Sequence, residues 1–110
     1  MVKISATKVE QHLRKIIEKE DKEISKAILF GSQARGDADE TSDIDIALID
    51  KSFEGTPMYK RGIWVKKNWD YIDIGPLEVI CYTPKEFRKR LDKNGDTVQD
   101  IEKEGISLLI

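Results

Sequence analysis

The sequence predicts an α/β (α+β) fold in which a small mixed β-sheet is flanked by helices. Stretches with helical apolar spacing alternate along the chain with short apolar runs of strand length. Breaks at Gly31, at Gly55 and at Gly75-Pro76 separate these elements. Such alternation is typical of helices packed on a central sheet. The chain has 110 residues, and we expect one domain over residues 1–110.

The composition narrows the class of protein. Charged residues make up 36% of the chain, and 19 basic against 21 acidic residues give a formal net charge of −2. This balance gives no general attraction to a nucleic-acid backbone, so we expect no stable nucleic-acid binding. One cysteine, Cys81, and one histidine, His12, argue against disulfides and against a zinc site. No apolar run approaches the length of a membrane span, and we expect a cytoplasmic protein with no membrane partner.

The first element is predicted to be an amphipathic helix. Residues 7–10 (Thr-Lys-Val-Glu) have the form of a capping box, and Val9, Leu13 and Ile16 follow at helical spacing. His12 lies among charged neighbours on this helix, and we expect it to be an ordinary surface residue.

Two predicted strands enclose the first chemical motif. Residues 24–30 form a short apolar run that ends at a glycine, which indicates a buried strand. Gly31-Ser32 predicts a turn, and residues 32–35 predict a short helix. A polar loop over residues 37–41 leads to a second strand over residues 42–50.

The second strand carries two acidic residues on one face. Because side chains alternate along a strand, Asp43 and Asp45 lie on one side, and Ile44, Ile46 and Leu48 on the other. Two like charges so close together repel, so a positive group is expected between them.

The middle of the chain, residues 59–71, is predicted to form a helix. Met58, Val65 and Trp69 recur at helical spacing, although Gly62 weakens the pattern. Basic and aromatic residues interleave here, which is compatible with nucleic-acid contact. We favour the alternative, a helix with an aromatic core face and a solvated basic face. The residues concerned are Lys60, Arg61, Lys66 and Lys67 with Tyr59, Trp64 and Trp69.

A third strand and a well-marked helix follow. Residues 77–82 are apolar except for Glu78, which indicates a strand with its charge on a solvated face or at a site. Thr83, Pro84 and Glu86 then give a capping box with proline at the first helical position.

The C-terminal part has a weaker signal. Asn94-Gly95 is expected to end the helix, and Asp96 can cap a further helix to about Lys103. The apolar residues 106–110 are compatible with an added strand, a packed tail or a subunit contact.

Three carboxylates on two neighbouring strands would form a cation site. Asp43 and Asp45 lie on one predicted strand, and Glu78 lies on another that could be adjacent. Oxygen ligands shared with substrate phosphates suit Mg²⁺. Two such ions can activate an attacking hydroxyl and stabilise a departing pyrophosphate. The Gly31-Ser32 turn could hold the triphosphate through its backbone N–H groups and a hydroxyl.

These residues resemble the signature of a known superfamily. Gly31-Ser32-Gln33-Ala34-Arg35-Gly36, followed by Ser42-Asp43-Ile44-Asp45-Ile46, is similar to the motif of DNA polymerase β-type nucleotidyltransferases. The resemblance implies their palm-like nucleotidyltransferase fold. The short chain and residues 77–87 are similar to the minimal nucleotidyltransferase (MNT) branch, whose members are often the antitoxin of a HEPN/MNT toxin–antitoxin pair.

The resemblance also implies roles for individual residues. Gly31 and Ser32 would contact the nucleotide phosphates, and Asp43 and Asp45 would be catalytic and bind the metal ions. Glu78 falls at the third catalytic, metal-binding carboxylate, where the family more often has aspartate.

Two assignments have competing interpretations. Asp73 is the other candidate for the third carboxylate, but it precedes the Gly75-Pro76 break and is expected in a loop. Arg35 either contacts phosphate or forms an ion pair that holds the turn.

The implied reaction is transfer of AMP from ATP to a hydroxyl on a helical HEPN-type toxin, with Mg²⁺ as cofactor. A chain of this length lacks a second domain for another acceptor. The alternative is a non-enzymatic antitoxin that neutralises its partner by contact, through the helix around Trp64 and Trp69 and the tail over residues 106–110. A third interpretation is a transferase for a small molecule or a nucleic-acid end, whose acceptor site is built in a homo-oligomer.

Overall fold

The computed structural model describes residues 5–38, 42–93 and 96–110, and these form a four-stranded sheet of order β3-β2-β1-β4. β1 pairs antiparallel with β2 and with β4, whereas β2 and β3 are parallel. The predicted α/β class with a mixed sheet is therefore confirmed. The strands are β1 (Lys26–Phe30), β2 (Ile44–Ile49), β3 (Leu77–Tyr82) and β4 (Ile106–Leu108).

Helices cover both faces of the sheet. One face packs against α1 and α3, and the opposite face packs against α4 and α5. The helices are α1 (Ala6–Lys19), α2 (Ser32–Arg35), α3 (Ile63–Lys66), α4 (Pro84–Leu91) and α5 (Thr97–Glu104), with short 3₁₀ turns at Lys51–Phe53 and Met58–Lys60.

The alternation along β2 decides where its acidic residue lies. Ile46 and Leu48 belong to the core cluster under α1 and α3, whereas Ala47 and Ile49 belong to the cluster under α4 and α5. Asp45 has the same parity as Ala47 and Ile49, so its side chain lies on the α4–α5 face. It stands near the start of the strand, where these helices leave the sheet partly open: Asp45 is half-buried, while Ala47 is fully buried.

The first helix starts earlier than the sequence pattern predicts. Ser5 is its N-cap, and the Ser5 side-chain oxygen accepts a hydrogen bond from the Lys8 N–H at 3.1 Å. The prediction of a capping box at Thr7 is wrong, because Thr7 already lies inside the helix. His12 is partly exposed, and its Nε2 accepts a hydrogen bond from the Asp70 N–H at 3.1 Å.

The predicted helix over residues 59–71 is wrong, because the chain follows the core as short turns. It forms the Met58–Lys60 turn, then α3, then further turns before β3. A Cβ on Gly62 would lie 2.7 Å from Val79 Cγ1, so glycine allows a close approach to β3. Trp64 and Trp69 are only 8% and 5% exposed. They form core, as we favoured, and the interface predicted around them stays a prediction.

The capping signals downstream are confirmed. Thr83 and Glu86 form the predicted capping box of α4, with Pro84 in its first turn. Glu86 also pairs with the buried Arg61 guanidinium, at 2.6 Å from Nη1. Asp96 caps α5. The predicted stop at Asn94-Gly95 lies outside the described residues.

The C-terminal apolar run is an added strand. β4 lies beside β1, and the Leu109 backbone is held by α1: its N–H donates to Glu10 Oε1 at 2.7 Å, and its carbonyl accepts from Arg14 at 2.8 Å. None of the helices among the described residues is long and apolar enough to cross a bilayer.

Candidate active site

The Gly31 turn brings the backbone directly against an acidic side chain. Gly31 lies between β1 and α2 with φ = +74°, a conformation that favours glycine. A Cβ at this position would collide with Asp45 Oδ2. The predicted turn and the predicted short helix over Ser32–Arg35 are both present. Glycine therefore lets this turn pack directly against the Asp45 carboxylate without a clash and without backbone strain.

The parallel pairing of β2 and β3 aligns two carboxylates. Asp45 and Glu78 are direct partners in the register of the two strands, whose backbones lie about 4.8 Å apart in such a sheet. On the other side Asp45 is paired with Phe30, the residue before Gly31. The Ile44 N–H donates to the Pro76 carbonyl at 2.8 Å and extends the pairing beyond the start of β3.

Asp45 is the electrostatic centre of an acidic cluster, which we define as Asp43, Asp45 and Glu78. Burial, and after it the negative charges of Asp43 and Glu78, raise the pKa of Asp45 to about 6, while Arg35 acts in the opposite direction. Asp43 and Glu78 themselves are exposed. The structure thus places together the three residues that the sequence predicts as the catalytic set; their roles stay predictions.

The cluster has the donor chemistry of a magnesium site without its closed geometry. Carboxylate oxygens are the ligands that Mg²⁺ prefers, and repulsion among the three favours a cation. Within residues 5–38, 42–93 and 96–110, however, no three His, Cys, Asp or Glu side chains are arranged to hold an ion together. Asp43 and Glu78 are exposed, so their side chains are free to change rotamer and converge with Asp45 on a cation.

The structure shows Arg35 in ion pairs that hold the turn. Its Nε lies 3.1 Å from Asp37 Oδ2, and its Nη1 lies 3.3 Å from Glu104 Oε2 at the end of α5. This agrees with the structural interpretation of Arg35, and a phosphate contact remains a prediction. Glu104 is a residue that sequence reasoning missed, because nothing local marks a partner 69 positions away.

Asp73, the competing third carboxylate, lies in a loop as predicted. Its Oδ2 forms an exposed ion pair with Lys8 Nζ at 3.0 Å. Glu78, by contrast, is the strand partner of Asp45 and acts on its pKa. The geometry therefore favours Glu78.

The loop before β3 presents two exposed apolar side chains, which the sequence did not reveal. Ile72 is 100% exposed and Tyr71 is 48% exposed. Two contacts fix the ends of this loop: Trp69 Nε1 donates to the Gly75 carbonyl at 3.0 Å, and the Ile74 N–H donates to the Asp70 carbonyl at 3.0 Å.

A glycine turn set against carboxylates on adjacent strands defines a nucleotidyltransferase-like domain. The sequence model of the family "Polymerase beta, Nucleotidyltransferase" matches residues 11–104. The chain belongs to this family. No curated protein matches in a sequence search.

A solved structure shares the fold. A crystal structure of a protein from Sulfolobus solfataricus, provisionally assigned as a nucleotidyltransferase, superposes with a TM-score of 0.62. The alignment covers 93% of this chain and 77% of that chain at 20% sequence identity, a level at which the likeness concerns the fold alone.

Proposed function

We propose that this protein is a metal-dependent nucleotidyltransferase that transfers AMP from ATP to a hydroxyl of a partner protein. The observation that carries the proposal is the placement of Gly31 against Asp45, with Glu78 as the strand partner of Asp45. A turn that can receive phosphates thus adjoins a group of carboxylates. Nucleotidyl transfer needs mainly positioning and charge neutralisation, and this arrangement supports both.

The chemistry would be an in-line displacement at the α-phosphorus of ATP. The acceptor oxygen forms a bond to the α-phosphorus, the bond to the bridging oxygen breaks, and pyrophosphate leaves. The hydroxyl proton would pass to Asp45 or Glu78. Mg²⁺ held by Asp43, Asp45 and Glu78, with two ions as the expected number, would neutralise charge on the triphosphate and on the leaving group.

The exposed apolar loop that leads to the start of β3 supports a protein as acceptor. Ile72 and Tyr71 lie on the loop that ends at Pro76, which is hydrogen-bonded to Ile44 at the start of β2. Ile72 precedes Pro76 by four positions, so its backbone lies within about 14 Å of Pro76. Burial of such a side chain gains about 1.5–3 kcal/mol, which a protein partner can supply. We propose a helical HEPN-type toxin as this partner, the role that the sequence resemblance implies.

The direct test is transfer of label. The protein is incubated with Mg²⁺, ATP labelled at the α-phosphate and the product of the neighbouring gene, and we expect label on that product. Glu78→Gln should abolish labelling, whereas the matched change Asp73→Asn should preserve it. Absence of label on the partner in the wild-type reaction would refute the proposal, and the reverse pattern of the two variants would assign the third carboxylate to Asp73.

A non-enzymatic antitoxin is the second candidate, because exposed Tyr71 and Ile72 would serve simple contact equally well. The double variant Asp43→Ala/Asp45→Ala separates the two functions. If it binds the partner but no longer neutralises it, the activity is enzymatic. If it neutralises fully, contact is sufficient.

A further inference from the structure

A cavity of about 640 Å³ lies at the end of the sheet opposite to the acidic cluster. Asp45 stands near the start of β2, and Asp50, which lines the cavity, follows the end of the same strand. Five residues of extended chain place these two positions about 16 Å apart. The volume of the cavity lies within the range of small-molecule binding sites, about 300–1,000 Å³. The cavity is therefore separate from the candidate active site.

The floor of this cavity is aromatic and buried. Phe53 and Trp64 both line it and are 6% and 8% exposed. The Lys22 ammonium lies over the Trp64 ring, 5.6 Å from its centroid. Rotation of this flexible lysine side chain would open the part of the Trp64 ring beneath it to a flat ring.

Two ionic groups in the wall are already satisfied. The Asp50 oxygens accept hydrogen bonds from the Ser25 N–H, the Ser25 hydroxyl and the Ser52 N–H at 2.7–3.0 Å. The Arg61 guanidinium is held by both carboxylate oxygens of Glu86, at 2.6 and 3.1 Å. These fixed contacts make the wall rigid, so a ligand would meet a preformed surface.

Three lysines that line the cavity differ from Asp50 and Arg61, because no carboxylate among the described residues pairs with them. Lys22, Lys51 and Lys60 form no ion pair with any residue of the described part of the chain. Two exposed carboxylates, Asp21 and Glu23, also line the cavity, so the lining side chains that form no such ion pair carry a net positive charge. Three lysines against two carboxylates leave one positive charge in excess, which favours an anion in this concavity.

We propose that this cavity binds a small phosphorylated ring compound of mononucleotide size. The phosphate would lie between Lys51 and Lys60, and the ring would take the place of Lys22 over Trp64. Asp21 and Glu23 at the cavity would disfavour a long polyanion, whose further phosphates would meet them, so the site selects one phosphate group. The proposal does not depend on nucleotidyl transfer, because it concerns the opposite end of the sheet.

AMP is a suitable probe, with amide and indole NMR resonances as the readout, in EDTA and without a partner protein. We expect AMP to shift the Trp64 indole resonance and the Ser25 and Ser52 amides. The Trp69 indole, which is hydrogen-bonded to Gly75, serves as the internal control and should not move. Adenosine and inorganic phosphate should each bind at least tenfold more weakly than AMP, since each supplies half of the contacts.

The lysines are tested by matched variants. Lys51→Ala/Lys60→Ala should weaken AMP binding about tenfold or more, because two charge-assisted contacts are lost. Lys66→Ala/Lys85→Ala makes the same change of charge outside the cavity and should leave the affinity unchanged. The proposal is overturned if AMP shifts only the Gly31 and Ser32 amides, if it shifts none at millimolar concentration, if adenosine binds as well as AMP, or if the two double variants bind alike.

Discussion

Asp45 lowers the stability of the folded protein at neutral pH, and Asp45→Asn should remove that cost. Burial first, and then the charges of Asp43 and Glu78, raise the pKa of this carboxyl from 3.8 to about 6. An acid whose pKa is higher in the folded state binds its proton more tightly there, so the free energy of unfolding falls as the pH rises from 3.8 to 6. This pKa difference between the folded and unfolded states corresponds to a loss of about 3 kcal/mol in the free energy of unfolding. Because Asp45 is partly accessible to solvent, we expect a loss of about 2 kcal/mol.

The assay is urea unfolding of wild type and Asp45→Asn at neutral pH and at about pH 4, in EDTA. At neutral pH the variant should be more stable by about 2 kcal/mol, or by about 6–10 °C in Tm. At the lower pH the two proteins should differ by only about 0.5 kcal/mol, because Asp45 is then protonated in the folded state and close to half protonated in the unfolded state. Asp73→Asn, which changes an exposed carboxylate, should leave the stability nearly unchanged at both pH values.

Two results would refute this reasoning: a variant that is no more stable than wild type at neutral pH, or a gain of the same size at both pH values. Magnesium gives a further check, because a cation bound by the acidic cluster should raise the Tm of wild type more than that of Asp45→Asn.

The remaining predictions concern other parts of the fold. Gly31→Ala should lower the free energy of unfolding by about 1–3 kcal/mol in urea titration, since φ is positive and the new methyl group meets Asp45. The same variant should transfer nucleotide about 100-fold more slowly than wild type. A variant that transfers at the wild-type rate would contradict the placement of the turn. Arg61→Met should lower the free energy of unfolding by about 2–3 kcal/mol in the same titration. This loss is smaller than that expected for a fully buried ion pair, because the Glu86 side chain is 39% exposed. An unchanged urea midpoint would show that the pair contributes nothing. Thr83→Ala removes the cap of α4 and should cost about 1 kcal/mol, while Thr83→Ser should restore most of it.

Features that depend on neighbouring residues were predictable from the sequence. The bounds of β3 and the start of α4 agree with the prediction, because an apolar run, a threonine cap and a proline are adjacent in the chain. The same holds for the Gly31-Ser32 turn, where glycine marks a backbone conformation that few other residues adopt.

Features that depend on tertiary contact were not predictable. The segment from Met58 to Trp69 has helical spacing, yet its turns follow the surface of β3, and the contact of Gly62 with Val79 exists only after the two have packed. The pair of Arg35 with Glu104 joins residues 69 positions apart for the same reason. Sequence could name Asp45 and Glu78, but their alignment depends on the parallel register of two strands.

Because β2 and β3 are parallel, the chain must return along the whole length of the sheet between Asp50 and Leu77 before Glu78 can reach Asp45. The connection from β1 to β2 is about half as long and joins antiparallel neighbours, so it costs less entropy to close. We therefore expect the glycine turn and the aspartates to form early in folding and Glu78 to arrive late. The repulsion among the three carboxylates of the acidic cluster then arises only at the last step of folding. Partly folded chains would lack the complete set of carboxylates.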